Sequence, residues 1–131
     1  MGMPAAKQGD RVQAIDNHIV LVPAPQGVQP VVQPLPFNGI ITGNLCNSVR
    51  IEGRMAAVLG STALNTPSHI PIGGTFATPP TNQAQIIAGS ATVLFQGKPA
   101  ARTGDRANTC NDPAPAPVGT IIAQSTILVG G

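Results

Sequence analysis

The stretch Ile86-Ile87-Ala88-Gly89-Ser90-Ala91-Thr92-Val93-Leu94-Phe95-Gln96-Gly97-Lys98-Pro99-Ala100-Ala101-Arg102-Thr103-Gly104-Asp105 decides the fold. It reads as three short strands. Ile86–Ala88 is apolar and β-branched, a Gly-Ser turn follows, and Thr92–Phe95 is the second strand. Gln96-Gly97 supplies the glycine of a tight hairpin turn. Pro99–Arg102 is the third strand, with proline at its start, where no ladder N–H is needed. The two alanines after Pro99 suit chains converging near an axis; plain β-surface alanine would read the same way.

The unit recurs. A second copy starts at Ile40-Ile41-Thr42-Gly43, runs through Val49-Arg50-Ile51-Glu52-Gly53 and ends in Ala56-Ala57-Val58-Leu59-Gly60-Ser61, with two extra residues in its first turn. Ile121 to Gly131 is the first half of a third copy, and Gly2-Met3-Pro4-Ala5-Ala6-Lys7-Gln8-Gly9-Asp10 is its second half. Gly131 and Gly2 both align with Gly97. The expected fold is an all-β, closed, pseudo-three-fold body, because an open stack would leave unpaired strand edges. One domain spanning 1–131 is expected, with repeat cores at 40–61, 86–105, and 121–131 joined with 2–10.

Composition agrees with this phasing. The chain has 131 residues, 15 Gly, 14 Pro, 9% charged residues, three Phe and no Tyr or Trp. Gly and Pro at this level disfavour helix, while 42% hydrophobic residues argue against disorder. The prolines fall mainly between the copies: Pro23, Pro25, Pro30, Pro34 and Pro36, then Pro67, Pro71, Pro79 and Pro80, then Pro113, Pro115 and Pro117. They predict stiff, extended connecting loops. A net charge of +2 without a basic run gives no nucleic-acid footprint. No apolar stretch is long enough for a membrane anchor. Met1 to Asp10 has no apolar core of a signal peptide, so synthesis in the cytoplasm is expected. In that compartment Cys46 and Cys110 read as ligands or inert thiols before they read as a disulfide.

The histidines and one cysteine are phased with the repeats. His18 lies eight residues after Asp10, His69 eight after Ser61, and Cys110 five after Asp105. Three connections leaving one end of a three-fold body would bring these side chains together. Such a set suits structural Zn²⁺, which favours tetrahedral nitrogen and sulfur ligands. Cys46, in the first turn of the second copy, is the expected fourth ligand; Asp16, Asp112 or water are the substitutes. At the opposite end the second strands carry Val49, Ile51, Val93, Phe95, Ile127 and Val129. Of these, Ile51, Phe95 and Val129 are the candidate contacts for a trimeric partner; as inward-facing strand residues they would look the same.

The segment Gly97 to Asp105, with Pro99-Ala100-Ala101-Arg102 at its centre, resembles the PAAR-repeat family. The motif recurs as Pro4-Ala5-Ala6-Lys7 and, more degenerately, as Met55-Ala56-Ala57-Val58. Asn65-Thr66-Pro67-Ser68-His69-Ile70-Pro71 and Thr109-Cys110-Asn111-Asp112 are similar to a PAAR-like subgroup. The resemblance implies a small conical β protein with a metal near its apex. It would cap a trimeric, VgrG-like β-helical spike of a contractile injection machine, one copy per trimer, and any effector would dock non-covalently. Type VI secretion systems, phage-like extracellular injection systems and phage tails are such machines. The subgroup would place a further His before Phe37, where this chain has Pro34-Leu35-Pro36. Two other functions stay open: a small zinc-dependent hydrolase or effector with an incomplete ligand set, and a carbohydrate-binding β-prism, which the absence of Trp and Tyr weakens.

Overall fold

The structure, a computed structural model, describes residues 2–131. Its strands in chain order are β1 (Met3–Pro4), β2 (Arg11–Ala24), β3 (Gly27–Gly43), β4 (Cys46–Ile51), β5 (Arg54–Ala56), β6 (Thr62–Asn65), β7 (Thr75–Phe76), β8 (Gln83–Ile86), β9 (Leu94–Phe95), β10 (Lys98–Pro99), β11 (Arg106–Thr109), β12 (Ala116–Ile122) and β13 (Leu128–Val129). Among the described residues there is no helix.

One end is built from three small hairpins, β4 with β5, β9 with β10, and β13 with β1. Ile51 faces Arg54, Phe95 faces Lys98 and Val129 faces Met3, so the three are equivalent. Glu52-Gly53 and Gln96-Gly97 make the first two turns with φ of 51° and 83°, and 52° and 79°. Two positive φ values are what a two-residue hairpin needs to match strand twist.

The paired alanines lie on the pseudo-three-fold axis. Ala57 N–H donates to Ala6 O (3.0 Å), Ala6 N–H to Ala101 O (2.9 Å) and Ala101 N–H to Ala57 O (3.1 Å), which closes a ring. Ala5, Ala6, Ala56, Ala57, Ala100 and Ala101 are all fully buried. Side chains larger than a methyl would separate the backbones that the ring joins. A second tier repeats the symmetry. Gly9, Gly60 and Gly104 N–H groups donate to the carbonyls of Ile41, Ile86 and Ile121, each at 2.9 Å. The three isoleucine N–H groups donate back to Asp10, Ser61 and Asp105 O. Ile41, not Ile40, is therefore the equivalent of Ile86. Fifteen positions separate Ile41 from Ala56 and fourteen separate Ile86 from Ala100, so the second copy carries one extra residue, not two. A register shift between Ile41 and Gly43 in the β3–β6 pair moves the phase by one.

The connections are not loops. β2 and β3, β6 and β8, and β11 and β12 pair in the closed order β12-β11-β8-β6-β3-β2-β12, with β7 added to β2. Each connection thus supplies two strands of a six-stranded antiparallel barrel. The prolines of the first connection fit because of their parity. β2 and β3 pair from Arg11↔Ile40 to Ala24↔Gly27 around the turn at Pro25-Gln26. Asn17, Ile19 and Asn38 send their N–H groups out of this hairpin, to Asn111 Oδ1, Asp112 Oδ2 and Asn65 Oδ1. Odd residues of β2 and even residues of β3 therefore face outward, and Pro23, Pro30, Pro34 and Pro36 all share that parity. No rung between β2 and β3 is lost.

The barrel is narrow, so its interior is filled by small residues. Ala63, Ala84, Ala107, Val12, Ile41, Ile86 and Ile121 form the core with Phe37. A Cβ on Gly39 would lie 2.6 Å from the Phe37 ring, which fixes glycine there. Phe37 in turn packs against His69, with ring centres 6.0 Å apart. The core thus ends in the histidine cluster.

Candidate metal centre and hairpin end

Strand alternation places Asp16 and His18 on the inner face of β2, two residues apart. His69 follows β6, and Cys110 follows β11. Asp16, His18, His69 and Cys110 are all buried, and one ligand atom from each lies within 4.8 Å of the others. Asp16 Oδ2 is the common neighbour. It lies 2.9 Å from His69 Nε2, 3.4 Å from Cys110 Sγ and 4.0 Å from His18 Nε2. Cys110 Sγ and His18 Nε2 are 3.9 Å apart.

The other carboxylate oxygen is already engaged. Asp16 Oδ1 accepts hydrogen bonds from Thr109 Oγ1 and from Asn111 Nδ2 (3.2 Å). That leaves Oδ2 turned toward the cluster. His18 Nδ1 points at Asp112 Oδ2 (3.5 Å), and Asp112 is itself held by the Ile19 N–H (2.9 Å). That approach is not a hydrogen bond, and His18 Nδ1 is buried without a partner.

These residues fit a metal ion. Among the described residues Asp16 pairs with no Lys or Arg, although it is fully buried. A buried carboxylate without a cation is costly. Burial first, and then the charge of Asp16, push the Cys110 thiol up to about 11; a bound cation reverses that logic. A tetrahedral shell with bonds of about 2.0–2.3 Å has edges of about 3.3–3.8 Å, close to the separations above. A cleft of 160 Å³ between Pro79, Pro80, Pro113 and Pro115 reaches His18 and Cys110, giving an ion a way in.

The structure brings His18, His69 and Cys110 into one buried cluster with Asp16. It does not bring Cys46. That side chain packs in a separate cluster with Ala5, Ile51, Ala56, Val58, Ala100 and Val129, and its Sγ lies near Ser48 Oγ and Gln96 Oε1. The reason is pairing: Cys46 lies opposite Ala56 in the hairpin tier, so its strand carries it away from the barrel. Asp16 takes the fourth place. The signal for it was the Asp-x-His spacing on a strand, which puts both side chains on one face. Thr109 and Asn111, which orient Asp16, carried no comparable signal, because they act through a contact 93 and 95 residues away.

The hairpin end also differs from expectation. Ile51 and Val129 are buried and Phe95 is half-buried, all within the lower apolar cluster. They face inward because alternation lets only one set per strand face out. The apolar residues that do face solvent are their neighbours Leu94 and Leu128, with Ile127 and Met3.

Comparison with known proteins adds one match. Residues 76–131 match the family profile described as PAAR motif. No curated protein matches, and no solved structure matches. The family implies association with a VgrG-like spike. The matched segment contains the most regular copy of the unit that the hairpins repeat around the axis, and this part of the chain is similar to the PAAR motif.

Proposed function

We propose that this protein is the tip of a contractile injection or secretion machine. It caps the trimeric, VgrG-like spike with one copy per trimer and sharpens it for penetration of a target membrane. The observation that carries this reading is the hydrogen-bonded ring of Ala6, Ala57 and Ala101. Through it a single chain presents three equivalent hairpins, the arrangement needed to meet a three-fold partner from one molecule.

Zinc held by Asp16, His18, His69 and Cys110 is the structural part of the proposal. One carboxylate, two imidazoles and one thiolate are borderline donors that suit Zn²⁺. The ion ties β2 to the segments after β6 and β11, one from each connection, where few apolar side chains are available. Four protein donors fill a tetrahedral shell and leave no position for a substrate water, so the chain is assigned no reaction of its own. It would be made in the cytoplasm, assembled into the particle and delivered with it.

The test is to mix the protein with its cognate spike trimer and determine mass by light scattering on a sizing column. A complex of one chain with three spike chains is expected. Separate elution at micromolar concentration would refute the capping role.

A further inference from the structure

Three turns leave the hairpin tier at equivalent places, and each lies against one strand of a neighbouring hairpin. The N–H groups of Gln8, Leu59 and Thr103 donate to Met55, Pro99 and Pro4 O, at 2.9, 2.9 and 3.0 Å. Arg54, Lys98 and Met3, each one residue before the accepting carbonyl, are therefore equivalent. They stand beside residues 7–11, 58–62 and 102–106 in turn. The three grooves share one backbone but not one charge. The first collects Lys7, Arg11 and Arg54, the second has Lys98 with Val58 and Thr62, and the third has Met3 with Arg102 and Arg106.

In the first groove two of the three cations are uncommitted. Lys7 Nζ spends its donors on Asp10 Oδ1 (3.1 Å), Asp10 Oδ2 (3.2 Å) and Gln124 O (2.5 Å). Arg11 and Arg54 are both exposed, and among the described residues neither is in an ion pair. Arg54 reaches the Gln8 carbonyl only at 3.5 Å. In the third groove, by contrast, Arg102 is paired with Asp105 and Arg106 is turned to Thr120 Oγ1.

A glycine shapes the first groove. Gly9, Gly60 and Gly104 are equivalent, with φ of 92°, 94° and 91°. Nothing lies within 4 Å of the place where a Cβ would stand on Gly60 or Gly104, but Arg54 Nη1 is 2.6 Å from that place on Gly9. The guanidinium is laid over bare backbone, and a side chain at position 9 would push it off. The result is a cleft of about 500 Å³ lined by Lys7, Asp10, Arg11, Arg54, Ile122 and Gln124. Ile122, 45% exposed, pairs with Arg11 across β12 and β2 and offers hydrocarbon beside the charges.

We propose that this cleft binds the carboxylate side chains of an acidic segment on a single partner protein, with Arg11 and Arg54 as the two receiving forks. A guanidinium takes a carboxylate through two parallel hydrogen bonds. Asp10 at the cleft floor repels a dianion such as phosphate more than it repels singly charged carboxylates, and Ile122 receives the methylenes of a glutamate. Single-stranded nucleic acid relies on aromatic side chains for its bases to stack on, and no aromatic side chain lines the cleft. The segment binds once per chain, because a three-fold partner would meet three like grooves and these three differ. The site does not depend on the spike-tip reading.

The experiment is fluorescence anisotropy of a labelled short polyglutamate peptide titrated with the full chain at about 0.1 M salt. One site per chain is expected, weakening as salt rises, with a polyglutamine peptide of the same length staying free. Arg11→Gln and Arg54→Gln should each raise the dissociation constant about threefold or more, and the double variant about tenfold. Lys98→Gln and Arg106→Gln remove the same charge from the other two grooves and should leave binding within about 1.5-fold of wild type. Both cleft arginines are exposed, so thermal melts should not change; Arg11→Gln carries the test should Arg54→Gln melt early. A polyglutamate peptide that stays free overturns the proposal, as does equal binding of polyglutamine. So do three equal sites per chain, or losses in Lys98→Gln and Arg106→Gln that match those in the cleft variants. Inorganic phosphate or single-stranded DNA displacing the peptide at concentrations below those needed for free glutamate would assign the cleft to phosphate and overturn the carboxylate reading.

Discussion

Asp16 Oδ2 lies 2.9 Å from His69 Nε2, although 53 residues separate them in the chain. The same oxygen faces Cys110, and its partner oxygen is held by Thr109 and Asn111. The carboxylate is thus aimed by hydrogen bonds at a point where two connections converge.

This arrangement sets the metal prediction. Elemental analysis should find one zinc per chain. Asp16→Ala and His69→Ala should abolish stoichiometric zinc and lower the melting temperature by about 10 °C or more, since zinc binding contributes directly to the stability of small metal domains. Chelator treatment of the wild type should give a similar drop. Cys46→Ala should keep full zinc and lose only about 1–2 kcal/mol of packing. Zinc lost in Cys46→Ala but kept in Asp16→Ala would reverse the assignment.

The alanine ring makes a steric prediction. Ala101→Leu inserts three carbons where there is no exposed surface and where backbones meet at 2.9 and 3.1 Å. We expect a loss of about 3 kcal/mol or more, read as a fall in the urea midpoint. A neutral outcome would mean that the axis can open.

The second tier makes a symmetric one. Gly60 and Gly104 hold φ of 94° and 91° with open space where a Cβ would go. Alanine at either site costs only backbone strain, about 1–2 kcal/mol, and should cost nearly the same at both. Denaturant midpoints differing by more than about 1 kcal/mol between the two variants would break the equivalence of the repeats.

At the hairpin end, Leu94→Glu and Leu128→Glu place charges on exposed apolar positions. Each should weaken binding to the spike trimer by about tenfold or more and leave the melt unchanged. Ile51→Ala and Val129→Ala should do the opposite, lowering stability by about 2–4 kcal/mol, because both side chains are core. Isothermal titration against the spike, with thermal melts alongside, separates the two classes.

Local pattern determined much of this protein. Gln96-Gly97 and Glu52-Gly53 announce hairpins, the recurring Ala-Ala unit announces three copies, and equal offsets from Asp10 and Ser61 mark His18 and His69. These features are legible because turn chemistry and repetition act over a few residues. Only the tertiary structure decided the rest. The proline-rich connections are barrel strands, because proline parity matters only once a partner strand defines which N–H groups point inward. Asp16 replaces Cys46, because a one-residue register shift and the Cys46↔Ala56 pairing commit that thiol to the hairpin tier. Ile51 and Val129 turn inward while Leu94 and Leu128 turn out, because alternation fixes two faces and closure of the ring chooses which is core.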